Sequence, residues 1–112
     1  MHEVSLAGEI LSTALARARS LGCSSPKAVI ARIGAWTCVN PDLLARAFQA
    51  AASDLGAAGI ELRIRVVRPE CRCRDCGQAF EPRAFALRCD GCGSGRVTLE
   101  QGREMEVESV EV

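Results

Sequence analysis

Two short motifs, Cys73-x2-Cys76-Gly77 and Cys89-x2-Cys92-Gly93, constrain this chain more than anything else in it. Each is a tight turn with a thiol at either end, and two such turns set face to face present four thiolates to one tetrahedral ion. Glycine directly after the second cysteine supplies the positive φ that folds backbone N–H groups back toward sulfur. Zinc best suits four thiolates; iron in a rubredoxin-like role is the other metal that thiolate chemistry permits, and a pair of disulfides is the non-metal reading. Four protein ligands close the coordination sphere, so the metal is structural and any chemistry lies elsewhere. Cys71 adds a fifth thiol two residues before Cys73, too close to it to pair comfortably with the turn at Cys76. It reads as a nearby free thiol or an exchange ligand. Cys23 and Cys38 read as buried or half-buried small hydrophobes at element ends.

The rest of the chain has alternating periods. Ala7, Ile10, Ala14, Ala18 and Leu21 recur at helical steps, which predicts an amphipathic helix from Leu6 to Leu21 that ends at Gly22. Residues 27–33, between Ser-Ser-Pro and Gly34, predict a buried strand. Asn40-Pro41-Asp42 opens a second helix, with Asn40 as N-cap, and Leu44, Ala47, Phe48, Ala51 and Leu55 facing inward. Ile60, Leu62, Ile64 and Val66 alternate with charged residues, the pattern of a strand with one wet face. In the C-terminal strand the alternation breaks at Ser109, where Met105 and Val107 give way to Val110 and Val112, and a bulge there restores one inward face. That last strand needs a sheet to pair with. The expected fold class is therefore α+β, with two helices on a small three-stranded sheet and an inserted zinc-ribbon-like module of four cysteines. Residues 1–69 and 99–112 form the core and residues 70–98 the module. No internal repeat is evident.

Composition narrows the function. At 112 residues and 48% apolar content the chain supports one compact core with a small appendage. The start, Met1-His2-Glu3-Val4, has no basic region followed by an apolar run, and no stretch is apolar enough to span a bilayer, so the expectation is a cytoplasmic protein without a membrane partner. Zero net charge argues against a protein that grips phosphate, and so against a nucleic-acid partner. Trp36, beside the end of the first strand, reads either as a core residue or as a partner anchor.

His2 is the only histidine. A free α-amine, the amide of residue 2, its imidazole and the next amide or carboxylate can wrap one ion in a nitrogen-rich plane, the geometry favoured by Ni(II) and Cu(II). The ordinary reading of a terminal histidine is a frayed, solvent-exposed residue. Taken together, however, Met1-His2-Glu3, Ile33-Gly34-Ala35 leading into Val39-Asn40-Pro41, the two cysteine knuckles and the closing Gly102-Arg103-Glu104 resemble the HypA/HybF family of nickel metallochaperones, in order and over essentially the whole chain. The resemblance implies a protein that assists nickel insertion into the large subunit of nickel–iron hydrogenase. It implies transient Ni(II) bound by Met1, His2 and Glu3, and structural Zn(II) bound by Cys73, Cys76, Cys89 and Cys92. The implied partners are a nickel-handling GTPase and the hydrogenase large-subunit precursor. Several members of that family carry aspartate near the nickel where this chain has Asn40; an amide oxygen is a poorer ligand, so Asn40 reads as the helix cap. Intrinsic affinities put Cu(II) above Ni(II), and the resemblance alone selects nickel.

Two other classes are weighed against it. An enzyme with a Cys–His nucleophile would have to use His2, for which no Asp or Asn partner is identifiable, so the chain reads as not an enzyme. A zinc-ribbon adaptor for nucleic acid or a protein complex needs a basic, aromatic surface around the knuckles. Only Phe80, Phe85 and five arginines against three acids in residues 71–96 supply one.

Overall fold

The computed structural model describes residues 2–83 and 86–112, with only the backbone of His2. Met1, the His2 side chain and Phe85, all singled out above, lie outside the described residues. The elements run α1 (His2–Ser20), β1 (Ala28–Gly34), a 3-10 turn (Ala35–Thr37), α2 (Pro41–Asp54), β2 (Glu61–Val67), β3 (Glu70–Cys73), β4 (Ala79–Phe80), β5 (Val97–Gln101) and β6 (Met105–Glu111). The fold is α+β, with two helices and two small sheets, ordered β2-β1-β6 and β4-β3-β5. The chain divides into two compact units: residues 1–32, 39–65 and 105–112, and residues 33–38 with 66–104. The second unit is wider than the expected module of residues 70–98, taking in the turn after β1 and residues 66–69 and 99–104 as well.

In the first unit α1 packs against α2 and β6. Leu6, Ala7, Ile10, Leu11, Ala14 and Ala18 form the buried stripe of α1, and Leu44, Phe48 and Ala52 that of α2. Alanine supplies half of the α1 stripe, which lets the helix lie close to its neighbours at those positions. Leu21 and Leu55, expected to face inward, are 64% and 65% exposed, since each follows the last turn of its helix. α1 begins at His2, four residues before the expected start, so the backbone of His2 and Glu3 belongs to a helical turn and not to a frayed end. Its last turn is tied to the sheet where Arg17 Nη1 donates to the Val107 carbonyl, 3.0 Å away. Asn40 caps α2: its Oδ1 accepts from the Asp42 and Leu43 N–H groups at 2.9 and 3.2 Å, with Pro41 in the first turn.

Strand β1 is the middle strand and β6 lies at one edge, as a C-terminal strand returning to the sheet requires. Val107 and Val110 are half-buried, with Glu108 and Ser109 both exposed between them, the offset expected at Ser109; Met105 and Val112, expected inward, are exposed. In β2 the inward phase also slips at its end, where Val66 is 49% exposed and Val67 is buried. Charged side chains of this sheet pair across strands, Arg32 with Glu106 at 2.7 Å and Arg63 with Glu111 at 2.8 Å. These exposed pairs are individually worth at most about 1 kcal/mol.

In the second unit β3 pairs antiparallel with both β4 and β5, setting Cys71 opposite Phe80 on one side and Leu99 on the other. Residues 33–38 join it through a close backbone approach. A Cβ at Gly34 would sit 2.1 Å from the Gly102 carbonyl carbon and oxygen, so only glycine fits, and the Trp36 N–H donates to that same carbonyl at 2.8 Å. The Gly34 and Gly102 segments that looked like separate sequence signatures are thus two sides of one contact.

Candidate metal centre

Both knuckles are built alike. Gly77 N–H donates to the Cys73 carbonyl at 2.9 Å and Gly93 N–H to the Cys89 carbonyl at 3.0 Å, closing the two turns, and each glycine takes positive φ (79° and 74°) as the motif demands. Their entries are closed as well, by Cys73 N–H to Gln78 O and Cys89 N–H to Ser94 O, both 2.9 Å. Main-chain N–H groups then turn toward sulfur: Cys76 N–H to Cys73 Sγ at 3.4 Å and Gly91 N–H to Cys89 Sγ at 3.3 Å. The turns bring the Sγ atoms of Cys73, Cys76, Cys89 and Cys92 within 4.8 Å of one another, with Cys73–Cys92 at 3.6 Å and Cys76–Cys89 at 3.5 Å.

These separations fit a metal. Zinc–sulfur bonds of about 2.3 Å in a tetrahedron put the sulfurs about 3.8 Å apart. The electrostatics point the same way. The N–H of Cys76, with that of Asp75, favours a thiolate at Cys73 and lowers its pKa to about 6. At Cys92 the Ser94 N–H pulls in the same direction, but the adjoining Cys73 sulfur, desolvation and Cys89 outweigh it and push the pKa up to about 12. Cys76 is likewise raised: the Gln78 N–H lowers it, and Cys89, burial and Cys73 together win. One negative sulfur makes a second costly in so small a space. A divalent cation removes that penalty, so metal binding and release of the remaining protons are one event.

Cys71 is not in this cluster. It is fully buried beneath Phe80, Val97 and Leu99, and desolvation raises its pKa. Cys23 is half-buried, as expected, whereas Cys38 is exposed, a correction that follows from its place in the left-handed residue closing the 3-10 turn. Phe80 is 7% exposed and belongs to the core of the unit, so it offers no stacking face to a nucleic acid.

Of the residues expected at the nickel end, Glu3 is described in full. Its Oε2 accepts from the Asn40 N–H at 3.1 Å, which brings the first turn of α1 to the cap of α2. That bond, followed by one from its own N–H, holds the Glu3 carboxyl below the usual range. No spacing in the sequence places residues 3 and 40 together.

The sequence reading also missed a repeat. Arg72-Cys73-x2-Cys76-Gly77 and Arg88-Cys89-x2-Cys92-Gly93 match at four positions, and the arginine directly before each first cysteine is part of its knuckle: Arg72 Nη1 donates to Gly77 O at 3.0 Å and Arg88 Nη1 to Gly93 O at 3.2 Å.

A family model described as hydrogenase/urease nickel incorporation, metallochaperone, hypA, matches residues 1–112. The chain belongs to the HypA family. It is 38% identical over 112 residues to the hydrogenase maturation factor HypA of Synechococcus elongatus, covering 100% of this chain and 99% of that one. It is 33% identical, with the same coverage, to the hydrogenase maturation factor HypA of Chlorobaculum parvum. Among solved structures it is similar to the solution structure of the Ni metallochaperone HypA from Helicobacter pylori, with a TM-score of 0.70 and 27% identity over 99% of this chain and 97% of that one. The HypA family comprises hydrogenase maturation factors and nickel metallochaperones. Among the described residues no helix is long and apolar enough to cross a membrane.

Proposed function

We propose that this chain is a cytoplasmic nickel metallochaperone for nickel–iron hydrogenase, binding Ni(II) through Met1, His2 and Glu3 and passing it on with a partner GTPase to the large-subunit precursor. In this reading residues 1–69 and 99–112 are the nickel-handling core, and residues 70–98 are a module held by Zn(II) on Cys73, Cys76, Cys89 and Cys92. The observation that carries it is the match to the nickel-incorporation family over the whole chain.

Local physics supports the assignment of roles. The first amides of a helix have no intrahelical acceptor, so a metal that displaced the proton of the His2 or Glu3 amide, at the start of α1, would break no helical bond. The Glu3 carboxylate already accepts from Asn40, which favours the Glu3 main-chain nitrogen as the ligand atom. Zinc, when bound, supplies the charge that holds four thiolates together and so orders the module.

Nickel titration and metal analysis of protein with an unextended N terminus test this. Near-stoichiometric nickel binding is expected, weakening as pH falls, because an imidazole of pKa about 6.5 and an α-amine of about 7.7–8.0 must both lose protons. His2→Ala, or one residue added before Met1, should weaken nickel binding severely at unchanged zinc content, and Glu3→Gln should weaken it less. Parent-like nickel affinity in His2→Ala would overturn the N-terminal site.

A further inference from the structure

We propose that Arg72 and Arg88 are paired positioning residues of the four-cysteine centre, each strapping its own knuckle shut and so slowing the loss of metal. The residue before the first cysteine of each knuckle reaches across the turn to the carbonyl of the glycine after the second, at 3.0 Å for Arg72 and 3.2 Å for Arg88. The same glycines donate their N–H groups to the carbonyls of Cys73 and Cys89. Each knuckle is thereby closed twice, once by backbone and once by a guanidinium.

The bond recurs in two different backbone settings, which ties it to the motif and not to the sheet. Arg72 lies in β3 and also reaches Glu100 at 3.3 Å, whereas Arg88 lies outside any strand. Other arginines of the unit are directed elsewhere: Arg68 to Glu81, Arg74 to the Thr98 hydroxyl and Arg96 to Asp75. Four thiolates around a divalent ion carry a net charge of about −2, and a guanidinium is a planar cationic donor. Arg72 and Arg88 thus add a cationic donor to each closed turn. Opening one knuckle breaks its strap, and that step precedes metal release.

The inference rests on the reading of the four cysteines as a zinc site, and the experiment separates the two. Zinc-loaded full-length protein is challenged with excess chelator, and zinc release is followed with a chromogenic indicator. Arg72→Gln and Arg88→Gln should each release zinc about tenfold faster than the parent, the low end of what outer-shell partners of metal sites contribute. Arg72→Lys and Arg88→Lys, which keep the charge but not the planar fork, should fall between, and Arg74→Gln should match the parent. Limited alkylation mapped by mass spectrometry gives a readout that general destabilisation would not. Arg88→Gln should expose Cys89 and Cys92 first, and Arg72→Gln should expose Cys73 and Cys76 first. Parent-rate release in both Gln variants, or uniform alkylation of the four cysteines, would overturn the strap while leaving the zinc site standing. A parent protein that binds no zinc would overturn both.

Discussion

The first unit buries Leu11, Leu44, Phe48 and Ile60 with two helices and a sheet, whereas the second buries three cysteines, Cys71, Cys73 and Cys89, beside Ile33, Val67, Pro69, Phe80 and Pro82. The first unit has the apolar stripes of both helices to bury, at about 25 cal/mol per Å² of apolar surface. A unit built on so few large apolar side chains and one short three-stranded sheet falls in the size range where a staple is needed. Two of its buried cysteines, moreover, have their sulfurs in the metal cluster. The contrast teaches that the metal substitutes for the missing core, and that the two units should respond to insult separately.

The largest expected effect is removal of that staple. Structural zinc contributes about 10–16 kcal/mol of apparent binding in small metal-folded domains, comparable with the whole stability of an ordinary domain. Chelation, or Cys73→Ser, should therefore disorder residues 66–104 while the helical circular dichroism persists, since both helices belong to the first unit. Cys71→Ser is the internal comparison: it should keep one zinc per chain, because that thiol lies outside the cluster. Simultaneous loss of helix and zinc on chelation would break the contrast.

A smaller effect runs the other way. Phe48→Ala removes a ring that is 1% exposed in the first unit and should cost about 3–5 kcal/mol in denaturant midpoint experiments, with zinc content unchanged. Coupled loss of zinc would show that the second unit depends on the first.

The smallest effect concerns surface charge. Arg68 donates to Glu81 at 2.7 Å and holds its carboxyl below the usual range. A depressed carboxylate contributes stability that is present above its unfolded value and lost as pH falls through the folded one. The Glu81 carboxyl resonance should thus titrate below an ordinary glutamate, and return to it in Arg68→Gln. Stability of either unit near neutral pH should be almost unmoved by that substitution, as expected for an exposed pair. A marked loss would mean that charge, and not metal, holds the second unit.

The helices, three strands of the first sheet and four clustered cysteines were legible because each depends on local chemistry: apolar residues at helical or alternate spacing, proline and asparagine at the start of α2, and glycine after each knuckle. The ends of elements were less so. Leu21, Leu55 and Met105 carry the right residue type but lie where no neighbour covers them, and burial is decided by the neighbour. The start of α1 was placed four residues late because the buried stripe begins only at Leu6, while the first turn carries no buried residue to announce it. The arginine straps were not legible because an arginine before a cysteine follows no spacing rule of its own, and its acceptor carbonyl comes within reach only once the turn has closed.

By itself, the sequence determined two thiol-bearing turns whose four sulfurs suit one tetrahedral ion, since each turn dictates the direction of its own thiols over a span of four residues. Tertiary structure alone decided that Gly34 would pass against Gly102, that Glu3 would reach Asn40, and that Cys71 would pack in the core beside Phe80 while staying out of the four-sulfur cluster. Those contacts join residues distant in the chain or set by strand register, and only the packed chain fixes such distances.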